Sequence, residues 1–125
     1  SPITHLETPE LAIVPTGQVL HHLIRSTKTT NKQSPKLMQS KLHLARKIVE
    51  RYTLTNSELE GLLNWAVECL EDSYQEVRAS ATELIVSGLM PRLGEGLVRK
   101  KVQHIRSNIL ESFLMTLNNS LQFDH

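Results

Sequence analysis

The sequence has a single cysteine, Cys69, so no disulfide can form within the chain. A lone cysteine is typical of proteins from thiol-reducing compartments, which predicts a cytoplasmic location. No apolar run approaches the roughly 20 residues that cross a bilayer, so no membrane partner is expected. The first residues, SPITHLETPE, are polar and contain proline, unlike a secretory signal.

Catalytic and metal-binding patterns are also scarce. There is no glycine-rich phosphate loop, no nucleophile elbow and no supported carboxylate pair, which argues against an enzyme. The single cysteine and the absence of a His-x3-His pair argue against a metal site, and no cofactor is expected. A formal net charge of +1 predicts no strong global field. With 39% hydrophobic and 22% charged residues, residues 1–125 have the composition of a single globular domain.

Apolar residues recur with helical spacing, and no long stretch alternates with a period of two. Thr8-Pro9-Glu10 is typical of a helix start, and Pro15 and Gly17 then interrupt this first helix, which either kinks there or restarts at Pro15 and runs to about Ser26. TKTTNKQS at 27–34 forms a polar loop. A second helix begins at Ser34-Pro35, with Ser34 as its N-cap, and includes Leu37, Leu44 and Tyr52 in its apolar stripe.

Two capping boxes predict the next two helices. Thr55 and Glu58 start the third helix, and Ser73 and Glu76 start a fourth that runs to about Leu89. Met90-Pro91 is expected to end that helix. Gly94 and Gly96 then indicate a loose connection before a last long helix at about 98–121.

The helices show signs of an internal repeat. A shift of 39 residues places Ser34, Met38, Leu42 and Ala45 on Ser73, Val77, Ala81 and Leu84. A shift of 43 places the apolar face of the first helix on that of the third. Both shifts are close to the period of HEAT and armadillo units, about 40–47 residues. The fold is therefore predicted to be an all-α, HEAT/armadillo-like stack, with units at about 9–52 and 55–90 and a closing helix. An irregular helical bundle is the alternative.

The stretch Asp72-x4-Val77-Arg78-x2-Ala81 resembles the HEAT-repeat signature, in which the Asp and Arg help to tie adjacent units together. Three blocks in order resemble the C-terminal half of the TOG domain in the family of the centrosomal protein of 104 kDa. They are Leu44-Ala45-Arg46 with Ile48, then Cys69-Leu70-Glu71 with Tyr74-x-Glu76-Val77-Arg78, and then Arg106-x-Asn108-Ile109-Leu110 with Phe113.

This resemblance implies a TOG-like paddle that binds tubulin or microtubule ends at centrosomes, centrioles or cilia. TOG domains meet tubulin along the edge made by the turns inside each repeat. In this chain those turns carry Lys28, Lys32 and Lys36 in one unit and Asp72, Ser73, Tyr74 and Gln75 in the next. The lysines suit an acidic surface, and Tyr74 suits an exposed anchor. Alternatively, the lysines are solvated, the polar residues are caps and the tyrosine is packed.

The densest basic run comprises Arg99, Lys100, Lys101, His104 and Arg106. It is either a patch for an acidic tail or nucleic acid, or the solvated face of an amphipathic helix. Nucleic acid is disfavoured, because the aromatic residues on which single strands stack are missing. Three hypotheses remain: a tubulin-binding module, a scaffold that binds another protein or itself through the open end of its stack, and, least favoured, a nucleic-acid-binding domain.

Overall fold

The computed structural model of the chain describes residues 34–123. Of these residues, 83% are helical and none forms a β-strand, which confirms the prediction of an all-α protein. The predicted first helix, Lys28 and Lys32 lie outside the described residues. Within the described range, no helix combines the length and the apolar character needed to span a membrane.

Seven helical segments follow one another along the described chain. They are α1 (Pro35–Arg51), α2 (Asn56–Cys69), α3 (Gln75–Glu83), a π segment (Leu84–Leu89), α4 (Met90–Leu93), α5 (Glu95–Val102) and α6 (Ser107–Phe123). Segments α3, π and α4 continue without a break and are called the composite helix below.

The first two helices of this series begin as predicted. At α1, the Ser34 hydroxyl accepts a hydrogen bond from the Leu37 amide at 3.1 Å, and Pro35 occupies the first turn, where its missing N–H costs nothing. At α2, the Thr55 hydroxyl accepts from the Glu58 amide at 3.1 Å, and the Glu58 carboxylate accepts from the Thr55 amide at 2.9 Å. The capping box of Thr55 and Glu58 is therefore confirmed.

The prediction that Met90-Pro91 ends the helix is wrong. The backbone widens before the proline into a π segment, in which the Met90 amide donates to the Ile85 carbonyl, five residues back. Because proline lacks an N–H and its ring crowds the preceding turn, this local widening lets the helix pass through Pro91. The Arg92 guanidinium also donates to the Gly88 carbonyl at 2.9 Å, which stabilises the widened turn.

The composite helix ends at Gly94, not in a loose connection. Gly94 has a φ of 99°, and its amide donates to the Met90 carbonyl at 2.8 Å. It is the only residue between α4 and α5, while Gly96 lies inside α5. The left-handed backbone, which glycine adopts without a Cβ clash, makes this sharp junction possible.

The predicted closing helix at 98–121 is two helices rather than one. Helix α5 ends at Val102 and α6 begins at Ser107, with residues 103–106 as a turn between them. Val98, Val102, Ile105 and Ile109 keep helical spacing across this turn, so periodicity alone did not reveal it.

Helix α1 lies beside the composite helix and runs parallel to it. Arg46 pairs with Glu83 at 2.9 Å, and a Cβ added at Gly88 would lie 3.6 Å from Val49 Cγ1. These pairs are separated by 37 and 39 residues, close to the 39-residue shift of the sequence pattern.

Helix α6 runs parallel to the composite helix on its other side. A recess beside residues 75–82 is walled by residues 108–116 of α6. A groove that reaches Ser87 is walled further along α6, by Thr116 and Ser120. Three parallel helices thus begin at one edge of the molecule, near residues 34, 74 and 107. The C-terminal end of α1 meets Arg92 at the opposite edge.

The core lies between these helices and α2 and α5, and most predicted core positions are buried. Leu42, Leu62, Leu63, Ala81, Leu84 and Leu117, among others, have no exposed surface. The prediction that Leu37, Leu44 and Tyr52 belong to the buried stripe of α1 is wrong, since these side chains are 45%, 44% and 37% exposed. They lie on a face of α1 that points away from the composite helix. The apolar residues of α1 therefore extend beyond the face that the other described residues bury.

Candidate functional site

The turn between α2 and the composite helix is the part of the predicted site that the structure describes most fully. The predicted capping box of Ser73 and Glu76 is wrong, since Tyr74 occupies the N-cap position and makes no side-chain cap. Instead the Asp72 carboxylate accepts a hydrogen bond from the Tyr74 amide at 2.9 Å. Asp72 reaches this amide first because its side chain closes a short Asx turn two residues ahead.

Arg78 fixes this turn from inside its own helix pair. Its guanidinium donates to the Asp72 carbonyl at 2.8 Å. The HEAT resemblance suggested that Arg78 would help to tie neighbouring units, but in the structure it stiffens its own turn.

A different arginine connects this turn to the turn between α5 and α6. Arg106 donates from its amide to the Glu71 carboxylate and from its guanidinium to the Glu71 carbonyl, both at 3.2 Å. These bonds join residues that lie 35 apart in the sequence, so no local pattern predicted them. The turn at 71–75 is therefore held from both sides by arginines.

The held turn presents an aromatic side chain to solvent. Tyr74 is 48% exposed, and Ser73 and Gln75 are also exposed, whereas Asp72 is half-buried. The alternative of a tyrosine packed on the neighbouring unit is thus not what the structure has. A rigid aromatic residue loses little conformational freedom on binding, which makes Tyr74 a suitable contact residue.

Lys36 is the one predicted lysine of this edge that lies within the described residues. It is exposed in the first turn of α1. Gln39, one turn further along α1, lines the same groove as Gln75 and Glu76. The start of α1 and the start of the composite helix therefore lie at one edge.

The predicted basic patch divides into engaged and free residues. Arg99 pairs with Glu95 and donates to the Asn118 side chain at 3.2 Å, while Arg106 pairs with Glu71. Lys100 and Lys101 instead border a shallow depression of about 420 Å3, together with Glu60, Leu97, Gln103 and His104. Because Arg99 and Arg106, two of its five predicted members, are tied to carboxylates, the patch carries less free positive charge than its sequence suggests.

The single cysteine and the single tryptophan of the chain both lie in the core. Cys69 is buried, and loss of hydration, followed by the charges of Asp72 and Glu68, raises the pKa of its thiol to about 12. Trp65 is 1% exposed, and its indole N–H has no hydrogen-bond partner among residues 34–123. Among residues 34–123, no three His, Cys, Asp or Glu side chains lie close enough to hold a metal ion.

Comparison of the chain with protein-family models, with curated proteins and with solved structures finds no match in any of the three. A function for the chain is therefore proposed from its own sequence and geometry.

Proposed function

We propose that this chain is a non-enzymatic protein-binding module whose partner is tubulin or a microtubule end. The observation that carries the proposal is the turn at 71–75, to which Arg78 and Arg106 hydrogen-bond while Tyr74 stays exposed. A preorganised turn with an aromatic contact residue lowers the entropy lost on binding.

The proposed architecture is a HEAT-like stack of antiparallel helix pairs. It is supported by the parallel packing of α1 and the composite helix at the sequence shift of 39 residues. In such a stack, equivalent helices of successive units lie side by side. Helices α5 and α6 would then be a third pair, and residues 103–106 a third turn on the edge that carries Tyr74.

Tubulin is proposed as the partner on the strength of the three TOG-like sequence blocks. Two of them contribute directly to the edge, because Glu71, Tyr74 and Arg106 all lie at its turns. The exposed Lys36 would face an acidic surface, where it would raise the association rate. A cytoskeletal location at a centrosome or cilium follows from the same proposal.

The proposal is tested by gel filtration with free tubulin and by co-sedimentation with microtubules. Tyr74→Ala should weaken binding by about 2 kcal/mol, as expected for an interface hot spot. Met115→Ala is the matched control, since Met115 is 67% exposed on α6 but lies outside the turns. Absence of binding by the full chain at micromolar tubulin, with its helical content verified, would reject tubulin as the partner.

A scaffold that self-associates, or binds another protein through the end of its stack, is the second candidate. The observation that favours it is the exposed pair Leu37 and Leu44 on the outer face of α1, since end faces of repeat arrays are apolar. Light scattering should then show concentration-dependent dimers that a Leu37→Ser, Leu44→Ser double variant abolishes. A monomer at every concentration would count against self-association.

A further inference from the structure

A groove runs along the outer face of the composite helix and begins at Gln75, directly after Tyr74. It has a volume of about 670 Å3 and lies between α1 on one side and α6 on the other. It shares Gln75, Ala79, Thr82 and Thr116 with a neighbouring recess of about 360 Å3, so the two form one continuous channel. This channel runs along three parallel helices, and its length suits a helical segment that packs on the composite helix.

Two threonine hydroxyls of this groove are arranged as acceptors. Thr82 donates its proton to the Arg78 carbonyl at 2.9 Å, and Thr116 donates to the Ser112 carbonyl at 3.2 Å. Because each threonine has only one hydroxyl proton, both oxygens offer only lone pairs to a ligand. A molecule in the groove must therefore bring hydrogen-bond donors to these two positions.

The charge of the groove has one sign. Glu76 and Glu83 line it, and none of the described residues that line the larger part is a lysine or arginine. Glu83 uses one carboxylate oxygen for Arg46, which leaves the other available. Arg78, in the adjoining recess, directs its guanidinium to the Asp72 carbonyl. Such a site attracts cations, although the chain as a whole has a net charge of only +1.

Ser80 supplies an independent sign that the groove accommodates a polar ligand. Its side chain is only 7% exposed, it lines the groove, and its hydroxyl makes no hydrogen bond to any described residue. Its oxygen is not one of the buried polar atoms that lack a partner, so it faces the open groove, where it can donate to or accept from a bound molecule.

We propose that this groove binds a basic helical segment of a partner protein. Glu76 and Glu83 are two helical turns apart, about 10.5 Å along the axis at 1.5 Å per residue. Arginines separated by seven residues on a partner helix lie on one face at the same distance, so each can meet one carboxylate. The small side chains of Ala79, Ser80 and Ser87 allow that helix to approach closely.

Two labelled alanine-rich helical peptides test the proposal by fluorescence anisotropy with the full chain. One carries arginines seven residues apart, on one face, and the other carries them about nine apart, on opposite faces at 100° per residue. The charge of the peptides is identical, so a difference in affinity reports geometry. The first peptide should bind more tightly, and its affinity should fall with salt.

Matched variants locate the binding site. Glu76→Gln and Glu83→Gln should each weaken the first peptide roughly fivefold, as loss of an exposed ion pair does. Glu111→Gln, an exposed carboxylate of α6 outside the groove, should leave its affinity unchanged. Circular dichroism of each variant verifies that the helices are intact.

Three results would overturn the proposal: no binding of either peptide, equal affinity for both, or no loss in the Glu76 and Glu83 variants. Residues 11–33 of this chain contain Arg25, Lys28 and Lys32 and no carboxylate, so the chain's own segment is the rival occupant. Peptide binding that appears only after Arg25→Gln, Lys28→Gln and Lys32→Gln are combined would assign the groove to that segment and refute a partner in trans. None of these outcomes depends on tubulin binding.

Discussion

At the scale of single residues, side-chain hydrogen bonds at helix starts show which capping patterns of the sequence are used. Thr55 and Glu58 satisfy each other's backbone amides at the start of α2. At the composite helix the same sequence pattern, Ser73 with Glu76, is not used, because Asp72 bonds to the Tyr74 amide. The pattern predicted both caps equally well, and only the geometry of the preceding turn separates them.

Thr55 and Ser73 give a paired prediction about the free energy of unfolding. Thr55→Ala removes a cap and should lower the free energy of unfolding by about 1 kcal/mol. Ser73→Ala removes an exposed hydroxyl without a capping role and should change it by less than about 0.5 kcal/mol. Urea denaturation followed by circular dichroism measures both values. Equal losses would mean that Ser73 is a cap after all.

Cys69 gives a prediction on pH dependence. Burial raises the pKa of its thiol from 9.0 in the unfolded chain to about 12 in the folded protein. The unfolded chain therefore loses this proton at lower pH than the folded one, and the stability that the neutral thiol contributes falls between pH 9 and about 12.

The measurement is urea denaturation across this pH range, with Cys69→Ala as the control. The wild-type chain should lose more stability than the variant as the pH rises above 9.0. Parallel curves would contradict the burial of the thiol. Alkylation of the native protein by iodoacetamide near neutral pH should also be slow, because the reactive thiolate is scarce.

At the scale of elements, the junction between α4 and α5 depends on one backbone angle. Gly94 has a φ of 99° and a ψ of 147°, a conformation that only glycine adopts readily. A Cβ at Gly94 would meet no atom within 4 Å, so the cost of a substitution there is conformational and not steric.

A pair of glycine substitutions tests this junction. Gly94→Ala should destabilise the protein by about 1–3 kcal/mol, the usual cost of such a backbone strain. Gly96→Ala, inside α5 and also without a neighbour within 4 Å, should stabilise it by about 0.4–1 kcal/mol through the unfolded chain. Thermal unfolding should therefore shift in opposite directions. A shift in the same direction would contradict the sharp junction at Gly94.

The sequence predicts some helix starts and ends and misses others. The starts of α1 and α2 follow from caps that act within four residues. Passage through Pro91 does not, because it depends on a π segment whose widening is stabilised by packing. The turn at 103–106 was also missed, since apolar spacing continues through it and Arg106 is held there by Glu71 from another helix pair.

At the scale of the whole molecule, the repeat pattern and the packing agree. The 39-residue shift of the sequence matches the alignment of Arg46 with Glu83 and of Val49 with Gly88 to within two residues. The turn at 71–75 is a predicted site because the TOG resemblance assigns partner contacts to the turns inside each repeat. The groove between α1, the composite helix and α6 could not be predicted, since its residues come from three helices far apart in the sequence.

Hydrogen–deuterium exchange of the full chain with and without tubulin tests the central claim most directly. Binding through the proposed edge should protect the backbone amides of peptides that contain residues 71–75 and 103–106, because these turns would be covered. Peptides from the middle of α6, which include Met115, should exchange at the same rate in both states. No added protection at the two turns, or protection confined to α6, would contradict the assignment of this edge as the tubulin-binding site.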